Sequence, residues 1–187
     1  MWVKSTAFDD YGVLDDRFAH ETGNVHPDLT WGDVPEGVRS FVILCLDDDV
    51  PNGWDERDAE GRLPIVQSRR RFMHWMTVDV PADKRGLAEG ELGNRLAPAF
   101  GRFGINDYAA GQTDEIAPNP GLGYDGPRPP EFDRRWHAYR FVVLAMDVDK
   151  LDLPQTFTQN DLWPALKGHI LAGAETVGRY TRCEANR

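Results

Sequence analysis

Ser40-Phe41-Val42-Ile43-Leu44-Cys45-Leu46, bounded by Arg39 and Asp47, is the stretch whose reading decides the fold. An unbroken apolar run of this length, rich in β-branched and aromatic residues, reads as a strand buried on both faces. Phe72 to Val80 and Tyr139 to Val148 carry the same pattern. The segments between these runs are rich in turn residues and show no amphipathic helix, so a mainly β, antiparallel, sandwich-like architecture is expected rather than a βαβ repeat. A chain of 187 residues with 41% hydrophobic residues can bury one sizeable core, which predicts a single domain over residues 1–187.

Two long connections stand out. Asn52 to Arg71 is polar, carries Gly53, Gly61 and Pro64, and reads as an insertion too hydrophilic to bury; Asn106 to Pro130 is a second irregular stretch. Loops of this length in a compact domain usually line a site, and plain surface loops are the alternative. Near the C-terminus, Thr158 to Gly168 predicts a short helix, with Thr158 or Asn160 as N-cap, Pro164 in the first turn and Gly168 at the end. A final strand is expected within His169 to Thr181.

The formal net charge of -10 argues against a nucleic-acid partner, which needs clustered Lys and Arg. The one basic run, Arg69-Arg70-Arg71, is expected as a solvated loop or a partner for Asp55, Glu56, Asp58 and Glu60, with a local phosphate contact as the minor alternative. Cys45 and Cys183 are expected as free thiols, Cys45 as a small core residue. No transmembrane stretch and no secretory leader is evident, so a cytoplasmic location is expected.

Chemistry-bearing residues gather in three separated segments. Asp47-Asp48-Asp49-Val50-Pro51 closes the first run; residues two apart on a strand share a face, so Asp47 and Asp49 project together. Those carboxylates either orient a histidine or bond backbone N–H groups in a turn. His74 lies within the second run, and His137 begins the third with Tyr139 on its face. Gly121 to Pro130 alternates permissive Gly with restrictive Pro, which suits a tight, preorganised loop. Together the segments suggest an anion-binding site. Histidine spacing gives no support for a zinc site, no cofactor is implied, and no Gly-x-Ser-x-Gly elbow points to a serine hydrolase.

In order along the chain, Asp47 to Pro51, His74, Gly104-Ile105-Asn106-Asp107-Tyr108, Gly123 to Pro130 with His137-Ala138-Tyr139, and Lys167 to Tyr180 resemble motifs of the phosphatidylethanolamine-binding protein family, in its bacterial Raf kinase inhibitor-like branch. The resemblance spans nearly the whole chain. It implies a sandwich of antiparallel sheets with short helices and a small pocket for phosphate-type anions, lined by Asp47, His74, His137 and Tyr139 with Gly104 and Pro127 in loops beside it. Asp48, Val50, Ala138 and Ala109 depart from the family motifs. The functions in view are therefore a binder of a small anionic ligand, with histidines as charged donors; a regulator with a protein partner; and a hydrolase or isomerase using His74 and His137 as acid and base. A homodimer is open, because no sequence feature separates a dimer surface from an ordinary one.

Overall fold

A computed structural model of the chain describes residues 1–54, 57–93, 97–110 and 120–186, with no side chain described for Ala110. In chain order its elements are β1 (Trp2–Lys4), β2 (Gly12–Val13), β3 (Leu29–Gly32), β4 (Ser40–Pro51), β5 (Arg69–Pro81), β6 (Gly86–Leu87), β7 (Arg102–Phe103), α1 (Asp107–Ala110), β8 (His137–Met146), α2 (Gln159–Leu166) and β9 (Ile170–Tyr180). One sheet has the order β2-β9-β8-β4-β5-β7 and the other β1-β3-β6. Every named pairing is antiparallel except β2 with β9. The mainly β architecture read from the apolar runs is the one observed.

The larger sheet is covered on both faces, which is why its central strand needs no polar alternation. From β4, Phe41, Ile43 and Cys45 join Trp75, Phe141 and Val143 in a core shared with Val3, Leu29 and Trp31 of the smaller sheet. Val42, Leu44 and Leu46 point the other way, onto Met73, Met76 and Val78 and beneath Phe157, Leu162 and Leu166. Alternation along β4 thus feeds two cores, each residue burying apolar area at about 25 cal/mol per Å². Cys45 is buried in the first, and burial pushes its thiol pKa well up, as expected of a core cysteine. Cys183 is also buried and free.

Three local expectations are corrected. Arg69 to Arg71 is not a loop: β5 starts at Arg69 and runs opposite Asp47 to Pro51 of β4. Nor does the run pair with the nearby acids, since Arg69 clamps Asp133 and Arg71 binds Asp48, whereas Asp58 and Glu60 are taken by Arg62. Asp55 and Glu56 lie outside the described residues. Pro164 is not in the first turn of α2, because Thr158 caps the helix through a capping box with Asp161 and so fixes its start at Gln159. The carbonyl that Pro164 deprives of a partner belongs to exposed Asn160, where water can replace it.

Candidate functional site

At one end of the larger sheet lies a cleft of about 130 Å³, lined by Asp47, His74, His137 and Tyr139 beneath, with Trp54, Phe72 and Tyr108 as aromatic walls and Arg70, Arg128, Pro129 and Pro130 around them. Strand pairing places its floor. The β4–β8 ladder is regular, setting Asp47 opposite Tyr139. The β4–β5 ladder is not: Cys45 pairs with Trp75 and Leu46 with Met73, leaving His74 as an extra residue, and a second shift opposes Asp48 and Asp49 to Arg71. Bulges bend a strand and re-aim side chains, and here they stand at the histidine and the carboxylates. Asp47 and Asp49 are both buried while Asp48 faces outward to Arg71 and Arg140.

Both sequence readings of the acidic turn hold in part. Asp47 Oδ1 accepts the Asp49 N–H at 2.7 Å, and Asp49 Oδ2 accepts the Ala138 N–H at 2.9 Å, so the carboxylates do tie down backbone. Asp47 Oδ2 also meets His137 Nδ1 at 2.7 Å, and His137 Nε2 meets Asp133 Oδ2 at 3.1 Å. A carboxylate facing each ring nitrogen can only accept, so both nitrogens carry protons. Burial alone would lower the His137 pKa, but hydrogen bonds to Asp133 and Asp47 override it and raise the pKa to about 9. Burial likewise works against an ionised Asp47, yet the bond from His137 and the nearness of His74 hold it well below the usual carboxylate range. Asp133 is lowered to about 2, its burial outweighed by His137 and by the bidentate guanidinium of Arg69.

This geometry corrects the expectation that both histidines donate to a ligand. His137 spends both donors on the protein itself. His74 differs. Its Nδ1 lies 2.7 Å from the Asp125 carbonyl, which only accepts, so Nδ1 carries a proton. Its Nε2 is 3.9 Å from Asp47 Oδ2, too far for a hydrogen bond. The Tyr139 hydroxyl is fully buried, with no hydrogen-bond partner among the described residues. Burial pushes its pKa well above the ordinary phenol value, which keeps it a donor.

The loop bearing Asp125 is held from below. The buried Asp125 carboxylate accepts from Asn24 Nδ2 at 3.1 Å and Asn106 Nδ2 at 2.9 Å, while Asn106 also donates to the His74 carbonyl. A Cβ on Gly126 would stand 1.9 Å from the Phe18 carbonyl oxygen, so this close approach requires glycine. Gly104 does not line the cleft: it packs under it, where a Cβ would meet Phe157 and Met76. Pro127 also lies outside, facing a neighbouring cavity of about 740 Å³. Sequence reasoning missed Asp133, Phe72 and Trp54 as site residues and gave Arg69 to Arg71 a phosphate contact only as the minor alternative. Asp133 is four residues before His137 in a non-helical segment, where spacing carries no signal. Among the described residues no group of His, Cys, Asp or Glu has the arrangement of a metal site.

The two sheets, with a small aromatic-walled cleft at the end of the larger one, define a mainly β protein. The chain belongs to the phosphatidylethanolamine-binding protein family, whose sequence profile matches residues 4–181. It is 31% identical over 163 residues to the Escherichia coli UPF0098 protein YbhB, covering 87% of this chain and 85% of that one. A UPF0098 protein of Methanothermobacter thermautotrophicus is 29% identical over 97% of this chain and 99% of its own. Two crystal structures share the fold: Escherichia coli YbcL, with a TM-score of 0.74 and 25% identity over 96% of this chain and 97% of that one, and a phosphatidylethanolamine-binding protein homologue from Chlamydia trachomatis, with 0.70 and 28% over 96% and 95%. No helix among the described residues is long and apolar enough to cross a membrane.

Proposed function

We propose that this chain is a single-domain ligand-binding protein that holds a phosphate-type anion in the cleft, with Tyr139 and His74 as its inner contacts and Asp47 and His137 as the charged pair that fixes them. The observation that carries this reading is the Tyr139 hydroxyl, a buried donor with no partner to bond among the described residues. Burying such a group unsatisfied costs about 1–3 kcal/mol, a cost that a ligand oxygen removes. His74 completes the contact only with a proton on Nε2, because an unprotonated Nε2 presents a lone pair to the anion. Binding needs fewer groups than catalysis here: with His137 committed at both nitrogens, an acid–base pair made of the two histidines lacks one member.

Titration calorimetry with inorganic phosphate tests this. Affinity is expected to fall as pH rises through about 9, where His137 loses its proton and leaves Asp47 uncompensated. An affinity that is flat from mildly acidic to alkaline pH, or unchanged in His74→Ala, sinks the mechanism.

A further inference from the structure

The floor of the cleft is electrically settled within the protein, but its mouth is not. Arg70 and Arg128 both line the cleft and both are exposed. Among the described residues Arg70 has no carboxylate within ion-pairing distance; its guanidinium lies over the Phe72 ring, 5.6 Å from the centroid, which holds it at the aromatic wall. Arg128 binds Glu21 Oε1 through Nε at 2.8 Å. Glu21 also takes Arg182 at 2.8 Å through its other oxygen, and Arg182 binds Glu131 as well, so two carboxylates answer two guanidiniums there. Of the charged groups that line the cleft, Asp47 is answered by His137 and Arg128 by Glu21, which leaves the Arg70 guanidinium without a carboxylate among the described residues, in a chain whose net charge is -10. A cationic mouth on an acidic protein is a local arrangement that the overall charge does not explain.

We infer that Arg70 and Arg128 select the ligand, and that the ligand class is a small phosphomonoester whose organic part carries a second anionic group, such as a carboxylate. This rests on the phosphate reading above and deepens it. With the phosphate bonded to Tyr139, a short organic arm runs outward between Phe72, Tyr108 and Trp54 and ends at the two guanidiniums. A planar guanidinium matches a carboxylate in two parallel hydrogen bonds, whereas an ammonium at the same place is repelled. The volume of about 130 Å³ admits only a small ligand. By this chemistry, an ethanolamine-type arm ending in a positive charge is the poorer occupant.

O-phosphoserine and O-phosphoethanolamine are suitable probes, because they share phosphate and ammonium and differ by one carboxylate. Calorimetry on the full chain, with inorganic phosphate as reference, is expected to show O-phosphoserine about tenfold tighter than O-phosphoethanolamine, the scale of one charged hydrogen-bonded pair. The ratio should fall towards one in Arg70→Gln/Arg128→Gln, survive in part in Arg70→Lys/Arg128→Lys, and shrink with added salt because the mouth is open to solvent. If phosphate binds but the two esters bind equally, or if the ratio persists in the double glutamine variant, this inference is overturned while the phosphate reading stands. If neither phosphate nor either ester binds, both fall.

Discussion

The floor and the mouth of the cleft are built on opposite plans. Below, Asp47, His137, Asp133 and Arg69 alternate in sign, sit almost wholly out of water and bond one another and nearby backbone. Above, Arg70 and Arg128 stand in solvent, Arg128 on Glu21 and Arg70 with no carboxylate partner among the described residues. The buried groups are fixed by one another before any ligand arrives, and the exposed ones are left for it. Charged residues in one pocket therefore need not play one part. Those below serve stability and position, and those above serve recognition.

Asp133→Ala puts this division under the greatest stress. It strips a buried counter-ion from His137 and Arg69 at once, and an unfolding free energy lower by about 3–5 kcal/mol is expected from urea denaturation. Arg70→Gln, at an exposed position of the mouth, should shift the same measurement by less than about 0.5 kcal/mol. Equal effects from the two substitutions would erase the distinction.

Next in size is the pH dependence of stability. His137 has its folded-state pKa raised to about 9, so it contributes stability that is fully present below the unfolded value near ~6.5 and is lost as pH rises through about 9. The amount is on the order of 3 kcal/mol, counted once for the whole coupled cluster. Asp133, lowered to about 2, contributes stability present above the unfolded value of about 3.9 and lost as pH falls towards 2. Urea midpoints should therefore be highest between roughly pH 4 and 6.5. In Asp47→Asn the alkaline loss should shrink, and a His137 titration followed by NMR should move to lower pH.

The smallest expected effect has opposite signs on stability and binding. Tyr139→Phe removes an unsatisfied buried hydroxyl and should stabilise the ligand-free protein by about 1 kcal/mol, while weakening phosphate by about fivefold. A variant that is less stable and binds phosphate as before would move Tyr139 out of the recognition group and into the structural one.

Most of the architecture was legible in the apolar runs, because a strand covered on both faces leaves a simple record: Phe41, Ile43 and Cys45 to one core, Val42, Leu44 and Leu46 to the other, all apolar. The floor residues Asp47, His74, His137 and Tyr139 were legible as types and by their order along the chain. Their division of labour was not. Nothing in the sequence near His137 says that Asp133 turns back to it, or that Arg69 reaches across from another strand. The bulge at His74 was equally hidden, since an apolar run reads the same whether or not one residue is extra to the ladder. Arg69 to Arg71 misled because charge composition suggested a loop, whereas the end of a strand tolerates charge when its partner strand is acidic.

One attachment joins the buried floor to the surface. The connection that opens at Asn52 is anchored where the Leu63 N–H meets the Phe132 carbonyl at 2.7 Å and where Arg69, at its far end, grips Asp133. The carboxylate that moors the connection is thus one of the two that keep the imidazole of His137 charged, so the titration of one buried histidine reports on how the far end of a surface connection is held.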